Sequence, residues 1–142
     1  MKRHFSDTYD LSRVNRQILT DIIKLFVVKD KQLRFLEFIE SAKRYRDFLH
    51  ELLNDPRNLK EEIITEVPNN QQEVKDIIKK LKDLGAKNKA YLISSNDEND
   101  GKTGKLEEIL SLIYDEGFVY CLDTKLAYYE GHHNWRYILC AK

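Results

Sequence analysis

The chain has 142 residues, enough for one domain that buries roughly two-thirds of the surface its unfolded form exposes. Its 24 basic side chains are balanced by 24 acidic ones, so it lacks the positive field of a dedicated nucleic-acid binder. Two cysteines exclude a disulfide scaffold, no apolar signal core follows Met1, and the longest apolar run, Leu25 to Val28, is too short to span a membrane; a cytoplasmic location is the expectation.

From about Leu11 to Val28, apolar residues at Leu11, Val14, Ile18, Ile22, Leu25 and Phe26 follow the spacing of one helical face. The second half adds Leu19, Ile23, Val27 and Val28, a stripe wider than one neighbour needs. Either this end is deeply buried or it meets another chain. A second stripe runs from Leu33 through Ile39, Ala42 and Tyr45 to Leu53 and predicts one long helix, ended by Asp55-Pro56 because proline disfavours a helical residue before it. Residues 1–58 thus read as a helical hairpin.

Beyond it, 62–67 is a short β-branched stretch closed by Pro68, read as a strand. Asn70 with Glu73 three residues later predicts a capped helix, continued by Val74, Ile77, Ile78, Leu81 and Leu84 up to Gly85. A strand over 90–94, a polar loop, a helix with Leu106, Ile109, Leu110 and Ile113 inward, and three strands near 118–122, 126–130 and 135–140 complete the chain. The fold class is α+β: the hairpin, then a β-α-β-α-β-β-β unit over 59–142. Helical crossovers suggest parallel first strands, and the short last connections an antiparallel meander, giving a mixed sheet. The two regions are expected to form one compact unit.

The loop after the second predicted strand contains Gly101-Lys102-Thr103, the ending of a phosphate-binding loop. A true one needs glycine five residues before Gly101, where Asn96 stands, and Asp97, Glu98 and Asp100 would repel the anion. The same loop alternates Asn96, Glu98 and Asp100, with Gly101 at the sharp turn and Glu107 where a carboxylate would close a cation cage. The first position lacks its usual aspartate, so an ordinary solvated connection is preferred. No cofactor is expected, with a divalent cation as the alternative. Asn96, Asp97, Asp100, Lys102 and Thr103 are candidate binding residues, joined by Trp135 and Arg136.

The turn Gly131-His132-His133-Asn134 is the second candidate site. His132 or His133 would serve as general acid or base, oriented by Glu130 or Asp123, with Lys125 or Arg136 facing developing negative charge. Neighbouring histidines on a tight turn point apart, and neither forms a common zinc framework with Cys121 or Cys140.

Every chemical motif here fails at one necessary position. The preferred reading is therefore a non-enzymatic protein-interaction or regulatory module, as a homo-oligomer or with a protein partner, using the wide face of the first helix or the aromatic sheet. Charge supports an attraction between halves or copies, because residues 1–60 hold 13 basic and 9 acidic side chains and 61–142 hold 11 and 15. The alternative is a small hydrolase or metal-dependent nuclease using residues 96–102 and the histidine turn.

Overall fold

The structure is a computed structural model that describes residues 9–131 and 133–142. Among the described residues, the helical half contains three α-helices, α1 (Arg16–Phe26), α2 (Lys29–Ile39) and α3 (Tyr45–Asn54). Asn15 caps α1, accepting a hydrogen bond from the Ile18 amide at 3.0 Å. Val27 and Val28 then run extended: Val27 forms an antiparallel bridge with Leu59, and the Val28 amide donates to the Asn58 carbonyl.

The long second helix is corrected to two. The chain breaks at 40–44, where the Ser41 carbonyl and hydroxyl accept from the Arg44 amide and the Ala42 carbonyl accepts from the Tyr9 amide. The apolar stripe crosses this break in helical spacing because α2 and α3 both turn those residues into the same core.

The strands are β1 (Ile64–Glu66), β2 (Lys89–Ile93), β3 (Thr103–Lys105), β4 (Gly117–Cys121), β5 (Leu126–Glu130) and β6 (Arg136–Cys140); α4 (Val74–Asp83) and α5 (Leu106–Ser111) lie between them. All six strands join one sheet in the order β1-β6-β5-β4-β2-β3, and every neighbouring pair is antiparallel. The expected mixed sheet is therefore corrected. The crossover through α4 does leave β1 and β2 running the same way, but β4, β5 and β6 occupy the space between them, so they never pair. The polar loop also differs from expectation: it turns β2 back into β3, an extra strand that runs directly into α5.

Alternation along the strands divides the core in two. Tyr91, Ile93, Phe118, Tyr120, Ala127, Tyr129 and Leu139 face α1 to α3. Ala90, Leu92, Val119, Cys121, Leu126, Tyr128 and Ile138 face α4 and α5. Cover on both faces explains why β2, β4 and β5 read as near-continuous apolar runs. The wide face of α1 is spent here too: Leu19, Ile22, Ile23 and Phe26 are fully buried, and Phe26 meets the rings of Phe118 and Tyr120 edge-on at 5.5 and 5.9 Å.

Candidate functional site

Residues 94–102 form a tight, internally bonded turn. Asn96 accepts the Glu98 amide on its side chain and the Asn99 and Asp100 amides on its carbonyl, while the Gly101 amide returns to the Leu92 carbonyl. Gly101 has φ +87°, and a β-carbon there would overlap the Arg13 carbonyl oxygen, so glycine lets this turn press against the segment before α1.

That geometry drives Asp100 inward. Its Oδ2 accepts the hydroxyls of Tyr9 at 2.6 Å and Tyr45 at 2.7 Å, and its Oδ1 accepts the Ser94 amide at 2.8 Å. Burial raises the Asp100 carboxyl above the ordinary aspartate value, against the lowering effect of these donors. Burial likewise pushes both phenols upward, which keeps them protonated as donors. Beside them Arg46 grips Asp97 through two bonds of 3.0 and 2.8 Å, and its guanidinium lies 5.3 Å from the Tyr9 ring centroid. The Arg46 bond holds Asp97 below the usual carboxylate range. Asp100 is only 2% exposed and its oxygens already meet three donors, so this cluster fastens three chain segments together.

The other loop candidates do not join it. Asn96, Glu98, Lys102 and Thr103 face solvent, Thr103 lying opposite Tyr91 in the sheet, and Glu107 is exposed on α5. Among the described residues, no three His, Cys, Asp or Glu side chains are grouped to hold a metal ion.

His132 lies outside the described residues. His133 is exposed and meets the Trp135 ring edge-on at 5.2 Å. Glu130 accepts the Tyr128 hydroxyl at 2.8 Å and pairs with Arg136 at 3.7 Å. Register puts the histidine turn and the acidic loop at the same end of the sheet, since Gly117 pairs with Glu130 and Phe118 with Ile93. β5 and β2 are nevertheless two strands apart, about 10 Å by strand spacing. Asp97 and Asp100 meanwhile point at Arg46 and the two tyrosines. Asp123 and Lys125 occupy the β4–β5 turn at the opposite end, where Cys121 pairs with Ala90. Cys121 is buried under α4 and α5, with its thiol pushed up to about 12 by that burial, whereas Cys140 is exposed.

Trp135 and Tyr137 stay half-buried at the rim of the core beneath α1 to α3. Tyr129 is anchored through its hydroxyl to the Leu53 carbonyl at 2.9 Å, and Tyr137 stacks on it at 5.8 Å with the planes 9° apart. Tyr137, Ile64 and Glu66 border a groove of about 670 Å³ walled by Val28, Pro56 and Arg57. A second groove of about 580 Å³ runs from Trp135 past His50 and Asn54 and shares Pro56 and Arg57 with the first.

No protein-family model, curated protein or solved structure matches this chain.

The grooves bring together Trp135 and Tyr137, both of the aromatic sheet, with Pro56 and Arg57, which belonged to no candidate site. Pro56 was legible only as a helix stop, and its place beside β6 depends on a contact between segments some 80 residues apart. Arg46 carried no signal of this pairing in the sequence, since its partner Asp97 is 51 positions away.

Proposed function

We propose that the protein is a non-enzymatic interaction module that receives another protein chain across the β6 face. The observation that carries this reading is the pair of grooves that meet at Pro56 and Arg57, between β6 and the chain that leaves α3, with Tyr137 bordering one and Trp135 the other. Tyr137 suits the role of anchor: its ring is held in place by Tyr129, so ordering it on binding costs little side-chain entropy. Arg57 remains 89% exposed while Asp55 fixes its guanidinium through bonds of 2.9 and 3.1 Å, presenting a preset cation at the junction.

The test is to identify the partner by photo-crosslinking from position 57 in cells that express the protein, then to titrate the purified partner by calorimetry. Tyr137→Ala is expected to weaken that complex about tenfold or more, with the fold intact by circular dichroism. A complex indifferent to both Tyr137→Ala and Trp135→Ala would place the contact elsewhere and overturn the reading.

A further inference from the structure

Resting on the interaction reading, we propose that the occupant is an extended basic peptide segment that adds to the sheet as a seventh strand against β1. Among the described residues, β1 is an end strand, paired only with β6. The Val67 amide donates to the Arg136 carbonyl at 2.9 Å, which fixes the alternation of the ladder: Thr65 turns its N–H and C=O toward Ile138, and Ile64 and Glu66 turn theirs to the open edge. The Ile64 amide is already spent on the Glu61 carbonyl. The edge therefore offers a donor and an acceptor at Glu66 and a further acceptor at Ile64, the set an incoming antiparallel strand uses.

Charge selects the occupant. Glu61, Glu62 and Glu66 are all exposed around this edge. The adjacent cations are engaged within the chain: Lys60 turns its ammonium to the Lys24 carbonyl at 3.1 Å, and Arg57, in the same groove, is paired with Asp55 at 2.9 Å. Glu66 stands directly opposite Tyr137 in the register, and burial together with this carboxylate raises the Tyr137 phenol. A lysine or arginine opposite Glu66 on the added strand would meet this carboxylate, and an apolar side chain two residues along would lie beside Ile64 at the mouth of the groove. Two β1 edges facing each other would bring six glutamates together, which disfavours symmetric self-pairing.

The probe is an acetylated, amidated heptapeptide with valine and lysine alternating on one face and threonine on the other, titrated into the full chain with backbone amides followed by NMR. The Glu66 amide is expected to shift. Replacing the peptide's lysines by glutamate, or N-methylating its edge-facing amides, should weaken binding about tenfold or more. Glu66→Lys, a change at an exposed position, should reverse the preference toward the glutamate peptide. Shifts centred on Trp135 and Tyr137 and insensitive to N-methylation would overturn strand addition while leaving the groove as the interaction face. Silence toward the heptapeptide, in a protein whose crosslinked partner still depends on Tyr137, would overturn the basic-strand proposal alone. Salt-reversible oligomers that form without peptide and broaden the Glu66 amide would also overturn it, by showing that the edge takes the lysine-bearing β3 of a second copy.

Discussion

Tyr45 reaches back across 55 positions to place its hydroxyl 2.7 Å from Oδ2 of Asp100, deep beneath the β2–β3 turn. Tyr9 donates to the same oxygen, so one carboxylate ties the segment before α1, the start of α3 and the sheet. Asparagine has nearly the same shape, can keep its oxygen toward the Ser94 amide and can donate to the phenol oxygens, because hydroxyls both give and accept. Leucine leaves three buried donors without a partner at about 1–3 kcal/mol each. Asp100→Asn is therefore expected to lose about 1–2 kcal/mol in urea unfolding, and Asp100→Leu at least about 3 kcal/mol. Equal losses in the two variants would mean that the network contributes only shape.

The two loop aspartates pull the pH profile in opposite directions. Asp97 has a folded value lowered by Arg46, so its contribution is present above the unfolded aspartate value, near 3.9, and is lost as pH falls through the folded value. Asp100 has a folded value raised by burial, so its contribution is full below about 3.9 and declines as pH rises through the folded value. In denaturant titrations at a series of pH values, Asp97→Asn should flatten the acid limb, and Asp100→Asn should remove a decline that begins above pH ~4. A wild-type minus Asp100→Asn difference that grew with pH would reverse the sign assigned to burial.

Much of the secondary structure was visible in local pattern, and the reasons are specific. α4 and α5 show clear helical spacing because each packs one stripe on the sheet, through Ile77 and Leu81 and through Leu106, Ile109 and Leu110. The break before Tyr45 was hidden because Ala42 continues the stripe on either side of it. Strand order was hidden for a different reason: the pairing of Thr65 with Ile138 joins positions at the two ends of the 59–142 region, and local spacing holds no information about it. The acidic loop was read as an ordinary solvated connection, with a cation site as the alternative. Asp97 and Asp100, however, meet side chains 51 to 91 positions away, which no local motif could announce.

Gly101 and Gly85 both have positive φ, +87° and +114°, so alanine strains either backbone. Only Gly101 has a neighbour in the way: its new β-carbon would overlap the Arg13 carbonyl, whereas Gly85 has nothing within 4 Å. Gly85→Ala is expected to cost about 1–2 kcal/mol, and Gly101→Ala at least about 1 kcal/mol more, read as the difference in chemical-denaturation midpoints. Matching costs would show that the segment before α1 yields freely to the turn.

The wide apolar face of α1 left two possibilities in the sequence, deep burial or a partner chain, and Phe26 separates them. It is fully buried against Phe118 and Tyr120, so truncation leaves a cavity between helix and sheet that neighbouring rings cannot fill. Phe26→Ala is expected to destabilise the chain by about 3–5 kcal/mol, while Leu33→Ala on α2, 70% exposed, should change stability by less than about 0.5 kcal/mol. The mass in solution, by light scattering, should be the same for both variants and the wild type, because the Phe26 contacts are made within one chain. A Phe26→Ala protein that kept its unfolding midpoint but changed its mass would place this face between chains and overturn the internal packing assigned to it.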